Sequence, residues 1–182
     1  MQNLSAKYGK TLNLDKLTSY CPGCGHGIVT RLVAEAIETL GIRERAIAIV
    51  GIGCGGFSHH YMDVDAIEAT HGRSPSFAVG YKLCRPDNIV FTYCGDGDSC
   101  AIGLGDLMHA ANKGMPITSI MVNNSVFGMT GGQMAPTTLL GMKTATTPYG
   151  RDPRLNGYPY KIAEMMAHLD GATFITRQSV HT

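Results

Sequence analysis

Strong charge of either sign is missing from this 182-residue sequence: charged side chains make up 16% of it and the formal net charge is +1. A protein that grips a polyanion concentrates Lys and Arg on one face, and here the few basic residues are scattered. Nucleic acid is therefore not an expected partner. No apolar run is long enough to span a bilayer, and the opening MQNLSAKYGKTLNLDKL has no apolar core of the kind a secretion leader needs. The expectation is a cytoplasmic protein with no membrane partner. Internal repeats and low-complexity segments are absent too. With 44% hydrophobic residues the chain can bury a core of its own, and one domain over residues 1–182 is expected.

Cysteine, by contrast, is present six times. In a reducing compartment thiols serve metals, clusters or redox chemistry more often than disulfides. Apolar runs of strand length alternate with helical patterns. Residues 27–40 place Ile28, Leu32, Ala36 and Leu40 four apart, which predicts an amphipathic helix closed by Gly41. AIAIVGIG (46–53), NIVFTYC (88–94), ITSIMVNN (117–124) and ATFITRQ (172–178) read as strands, and 101–113 and 158–170 as helices. The fold class that follows is α/β, a mostly parallel sheet with helices on both faces. The stretch from Thr130 to Pro159 is too long for an idle connector and predicts a functional loop.

Open α/β sheets bind ligands at the carboxyl ends of their strands, where CGDGDSC (94–100) falls. Glycines there let a diphosphate approach the backbone, and the following helix offers its positive end. Aspartate beside a phosphate repels it unless a hard divalent cation sits between them. Mg²⁺ takes oxygen ligands from carboxylate and phosphate together. The next strand ends in Asn123-Asn124, so one carboxylate, one amide oxygen and a loop carbonyl could hold the ion. A GDG turn alone is more often a plain turn. Its pairing with NN is the stronger signal.

That pairing, a GDG and an NN a little under thirty residues apart, resembles the thiamine diphosphate (TPP) signature. CPGCGHG (21–27), GIGCGG (51–56), HGR (71–73), GDGD (95–98) and NNSVFGMTGGQMAPTT (123–138) follow one another as in the TPP-binding β subunit of 2-oxoacid:ferredoxin oxidoreductases. The resemblance runs from about Leu17 onward. HGRSP and GQMAPTTLLGMKTATTPYGRDP look most like the branched-chain 2-oxoacid (2-oxoisovalerate) type, with the 2-oxoglutarate type next.

By that resemblance Asp96, Asn124 and the carbonyl of Val126 bind Mg²⁺. Gly95, Gly97, Asp98, Gly128, Met129 and Thr130 line the TPP diphosphate and thiazolium region, and Ile52, Gly53, Cys54, Gly55 and His71 reach the cofactor from the other side. Cys21, Cys24 and Cys54 ligate a [4Fe-4S] cluster whose fourth ligand in the family lies further along the chain than Thr182. The resemblance thus implies a C-terminal segment that these residues do not include. It also implies CoA-dependent oxidative decarboxylation of a 2-oxoacid, with electrons passed through the cluster to ferredoxin. The glutamate that activates TPP falls in no motif of this sequence and is expected from a partner α subunit, with γ and δ subunits as possible further partners.

Cys84, Cys94 and Cys100 read as ordinary buried thiols. His26 either faces TPP or satisfies its loop, and His109 reads as structural. Zinc is the rival for Cys21-x-x-Cys24, but the other nearby pair, His59-His60, is adjacent in sequence and on a strand would point to opposite faces. Two other functions stay open: a non-redox TPP decarboxylase or synthase, and a non-enzymatic Fe–S or zinc module.

Overall fold

The computed structural model describes residues 9–180. Its sheet has four strands, β1 (Ala46–Val50), β2 (Asp65–Glu68), β3 (Ile89–Gly95) and β4 (Ile117–Val122), in the order β2-β1-β3-β4 with every pair parallel. β1 is buried at every position, as an inner strand of a covered parallel sheet must be. Ala46, Ala48 and Val50 pack with Ala34 and Ile37 of helix α1 (His26–Thr39). Ile47 and Ile49 point the other way, onto Ala78 of α2 (Ser74–Cys84). Helices therefore cover both faces, as the sequence predicts.

β3 runs without a break into a π-turn over Gly97–Ile102 and then α3 (Leu104–Lys113). The chain continues through β4 into a short antiparallel hairpin of β5 (Val126–Phe127) and β6 (Gln133–Met134). Two short helices follow, α4 (Pro153–Asn156) and α5 (Ile162–Met166). Ile162 and Met166 pack on Leu107 of α3 and on Cys100. Before α1, residues 11–13 run antiparallel beside 61–63, through a Leu12–Met62 bridge and hydrogen bonds from Asn13 N–H and Asp63 N–H.

Several sequence expectations need correction. The four-apart stripe on α1 faces outward: Ile28, Leu32 and Leu40 are 39, 45 and 68% exposed, while His26, Thr30, Ala34 and Ile37 are buried. The buried line mixes steps of three and four, because a strict four-residue step drifts around a 3.6-residue turn. The strand read over 46–53 ends at Val50, where the glycines of GIGCGG turn the chain. His59 and His60 lie on a 3₁₀ helix, Cys54–His60, and not on a strand, so their rings meet at 4.0 Å. The helix read over 158–170 shrinks to α5. Residues 172–178 form no strand: Phe174 is 81% exposed and the segment joins no ladder among the described residues, so β propensity alone does not make one there.

Candidate functional site

The register of the sheet sets two loop tips side by side. Gly95 pairs with Val122, so the chain leaves β3 at Asp96 and leaves β4 at Asn123 from the same rung. Asp96 is 1% exposed, and the Thr137 hydroxyl donates to its Oδ2. Burial raises the Asp96 carboxyl above its usual range, while the Thr137 hydroxyl and the backbone N–H groups of Gly97 and Ser125 favour the charged form. The tips touch at Gly97 as well, where an added Cβ would fall 2.4 Å from the Phe127 ring. Only glycine admits that approach.

Both asparagines fold their own loop. Asn123 Oδ1 accepts the Ser125 N–H at 3.0 Å, and Asn124 Oδ1 accepts the Val126 N–H at 3.2 Å. Directly after them Ser125 has φ 65°, and among the described residues no other non-glycine has positive φ. Its carbonyl accepts from the Thr138 hydroxyl at 2.6 Å. Carboxylate, amide oxygen and loop carbonyl make an all-oxygen donor set at one edge of the sheet, the chemistry that suits Mg²⁺. Beside it, an added Cβ on Gly53 or Gly95 would meet nothing within 4 Å, so the backbone is open to a ligand there. The π-turn that follows begins with Gly97 and Asp98, and such turns occur often at functional sites.

Asp98 turns its carboxylate inward. It is 3% exposed, with Oδ1 engaged by His71 Nδ1 and by the Gly72 N–H at 2.7 Å. Any contact with a diphosphate therefore falls to its backbone. Thr130 closes the β5–β6 turn through Gln133, at 2.6 Å, and Met129 beside it is 47% exposed. Ile52 is 37% exposed at the turn after β1.

The cysteines sort into two groups. Cys94 and Cys100 are buried, and burial pushes both thiols up to about 12, with Asp98 adding to the effect on Cys94 and Asp96 to that on Cys100. Cys84 is exposed at the end of α2. Cys21, Cys24 and Cys54 converge: burial, then Cys21 and Cys24, raise the Cys54 thiol above its usual range. Cys54 also lies under the other loop, since a Cβ on Gly128 would be 3.6 Å from its Sγ. All six thiols are free. Among the described residues no three Cys, His, Asp or Glu side chains are spaced for one metal ion. The trio are thus neighbours on one cavity wall without forming such a group.

An aromatic shelf supports the Cys21–Cys24 turn. Tyr20 stacks on His26 at 5.0 Å and meets Tyr61 edge-on at 5.4 Å. His26 is 1% exposed, its Nδ1 3.4 Å from the Tyr93 hydroxyl, which also lies 3.1 Å from Thr30 Oγ1. His26 is accordingly a buried residue of the shelf whose ring also borders a cavity.

That cavity, of ≈ 1930 Å³, is walled by Tyr20, Cys21, Cys24 and Cys54 on one side and by Asn124, Val126, Gly128, Met129 and Thr137 on another. Ordinary small-molecule sites reach about 1,000 Å³. The excess lies along β4, whose outer edge carries no partner strand among the described residues, with residues 171–180 on the far side. Asp96, Asp98, His71 and Gly53 sit behind or beside this wall rather than on it.

Sequence reading passes over four residues that build the site. Thr137 and Thr138 lie inside the matched motif without a role, Ser125 carries the strained backbone, and Arg151 is 5% exposed where a surface arginine would be assumed. No spacing signal marks a buried arginine whose partners are carbonyl oxygens.

Residues 45–181 match the family described as thiamine pyrophosphate enzyme, C-terminal TPP binding domain. The ketoisovalerate oxidoreductase subunit VorA of Methanothermobacter thermautotrophicus is 47% identical over 90% of this chain and 34% of its own length. The 2-oxoglutarate synthase subunit KorB of Archaeoglobus fulgidus is 39% identical over 96% of this chain and 64% of its own. A solved 2-oxoglutarate:ferredoxin oxidoreductase from Magnetococcus marinus, with 2-oxoglutarate, coenzyme A and succinyl-CoA bound, superposes with a TM-score of 0.83 at 34% identity, covering 95% of this chain and 57% of that one. The chain spans between about one third and two thirds of these relatives. It belongs to the thiamine pyrophosphate enzymes, through their C-terminal TPP-binding domain, and its relatives are subunits of 2-oxoacid oxidoreductases.

Proposed function

We propose that this chain is the TPP- and Mg²⁺-binding β subunit of a 2-oxoacid:ferredoxin oxidoreductase, a single TPP/Mg-binding domain with an N-terminal CxxC segment. The overall reaction converts a 2-oxoacid and coenzyme A into acyl-CoA and CO₂, with two electrons leaving to ferredoxin. One observation carries the reading: the Asn124–Gly128 loop, Thr137 and the trio Cys21, Cys24 and Cys54 border one cavity, with Asp96 held just behind its wall by Thr137 and Cys54 beneath Gly128. A TPP decarboxylase without redox chemistry has no use for that second group.

Asp96, Asn124 and the Val126 carbonyl would hold Mg²⁺, and Gly53 and Gly95 would leave the backbone open to the diphosphate. Cys21, Cys24 and Cys54 would hold three irons of a [4Fe-4S] cluster, with the fourth ligand from outside residues 1–182. When bound, TPP supplies a carbanion for the ketone carbon and an electron sink as CO₂ departs. The protein's share is to exclude water, fix the diphosphate end and keep the cysteines within electron-transfer reach. His71, locked by Asp98, stands at the rim. The activating glutamate comes from an α subunit, and a reducing cytoplasm suits six free thiols. Among the described residues no helix is long and apolar enough to cross a membrane. The 47% identity to ketoisovalerate subunits favours a branched-chain 2-oxoacid over 2-oxoglutarate.

Anaerobic purification of the chain with its neighbouring subunits, with iron, sulfide, zinc and TPP quantified, tests the reading. About four irons with TPP per chain are expected, together with CoA-dependent ferredoxin reduction on 2-oxoisovalerate. TPP without iron in the assembled enzyme would leave the cysteines idle and point to a non-redox decarboxylase or synthase.

A further inference from the structure

We propose that Thr137 is a positioning residue for the cation site, held in place by Arg151; the inference rests on Asp96 being the Mg²⁺ ligand. Arg151 is 5% exposed, and its guanidinium donates to six carbonyl oxygens. Nη1 reaches Ala135, Pro136 and Thr138 at 3.3, 3.0 and 2.7 Å. Nη2 reaches Asn156 and Tyr158 at 3.2 and 2.9 Å, and Nε reaches Gly157 at 2.9 Å. One planar cation thus gathers 135–138 and 156–158 into a single knot. Lysine, with three donors at one point, could not serve both segments in the same way.

The knot delivers two neighbouring hydroxyls to the two loop tips. Thr138, fully buried, takes the Ala135 N–H at 2.8 Å and donates to the Ser125 carbonyl at 2.6 Å. Thr137, 3% exposed, donates to Asp96 Oδ2. A hydroxyl on Oδ2 fixes the carboxylate's rotation, and so the direction in which it can face a cation. Thr138 meanwhile pins the left-handed Ser125 directly after Asn124, in the loop that is the second source of oxygen donors. The long loop therefore works as a brace that presets the distance between the Asp96 and Asn124 tips before any ion arrives. Outer partners of metal-binding carboxylates typically influence affinity about 10- to 100-fold.

The test is calorimetric titration of TPP binding against Mg²⁺ in the assembled enzyme under anaerobic conditions, on wild type, Asp96→Ala, Thr137→Val, Thr137→Ser and Arg151→Lys. Thr137→Val should raise the apparent Kd for Mg²⁺ about 10- to 100-fold, and Thr137→Ser should restore it. Arg151→Lys should weaken Mg²⁺ in the same direction, and combining it with Thr137→Val should add less than the sum of the two. Mg²⁺ affinity unchanged in Thr137→Val, with Asp96→Ala still abolishing TPP binding, would overturn the proposal and leave the cation site standing. Full additivity would remove Arg151 from the brace. Should Thr137→Val fail to fold, Thr137→Ser and Arg151→Lys decide: wild-type Mg²⁺ affinity in Arg151→Lys goes against the proposal. Retention of Mg²⁺-dependent binding by Asp96→Ala would instead remove the site itself.

Discussion

His71 and Asp98, 27 residues apart in sequence, are joined through Nδ1 and Oδ1, and the neighbouring Gly72 N–H closes on the same oxygen. The other oxygen, Oδ2, is buried beside Gly51 and the Cys94 thiol. The HGR turn is thus fastened to the GDGD loop by one carboxylate. Asp98→Ala would orphan the Gly72 N–H and free the imidazole, a loss of about 1–3 kcal/mol. A domain of this size converts each kcal/mol into roughly 2–4 °C of melting temperature. Asp98→Asn keeps an acceptor for Gly72 and should lose less. Thermal melts of the two variants check this, and an Asp98→Ala melt equal to wild type would show that the turn is held by something else.

Contact between the two loop tips is equally exposed to test. Because a Cβ on Gly97 would sit 2.4 Å from the Phe127 ring, Gly97→Ala forces the β5–β6 hairpin away from the π-turn. Overpacking of this sort costs about 1–3 kcal/mol. Phe127→Leu should recover part of that loss in the double variant while costing stability on its own. A double-mutant cycle on denaturation midpoints reads the coupling, and strict additivity would mean that the tips do not touch.

Much of this was legible in the residues. AIAIV could only be an inner strand, since no polar side chain interrupts it, and NIVFTYCGDGD announced both a buried strand and the ligand edge it ends on. The pairing of GDG with NN needed only that β3 and β4 be neighbours, which they are. What could not be read depends on tertiary partners. Ile28, Leu32 and Leu40 have the spacing of a core stripe and lie outward, because α1 instead buries His26 and Thr30 against Tyr93. ATFITRQ has strand composition and no strand beside it. Arg151 looks like surface charge until its carbonyl cage is seen. Composition reports what a residue can bury, whereas these three depend on what happens to be waiting for it.

Thiol chemistry separates the cysteines. Burial moves Cys100 from the usual 9.0 to about 12, and Cys94 likewise, so neither offers thiolate at neutral pH. Iodoacetamide should label exposed Cys84 in the native protein and reach Cys94 and Cys100 only on unfolding, as peptide mapping would show. The sign on stability follows. An acid whose folded pKa is raised keeps its proton in the fold while the unfolded chain sheds it, so the contribution is whole below pH 9 and is lost as pH climbs toward about 12. Cys100→Ala should flatten that alkaline decline while losing some packing against Met121, whose Sδ is 3.1 Å from the Cys100 thiol. Ready native labelling of Cys100 would contradict its placement.

Asp96 poses the sharpest conflict between stability and function. Its carboxylate is buried at 1% exposure, and desolvation lifts its pKa despite the Thr137 hydroxyl, so in the absence of a cation the charge works against the fold. Asp96→Asn keeps the shape and an acceptor for Thr137 while removing the charge, and the metal-free variant should melt higher than wild type. Addition of Mg²⁺ and TPP reverses the ranking. A ligand present at 100 times its Kd stabilises the native state by about 2.7 kcal/mol, a gain open to wild type and closed to the variant, which has lost the one negative charge in the donor set. Differential scanning calorimetry with and without Mg²⁺ and TPP gives all four numbers. An equal ligand-induced shift in Asp96→Asn would mean that the cation, if bound, is held elsewhere; a lower metal-free melt would mean that the buried charge is better compensated than its neighbours imply.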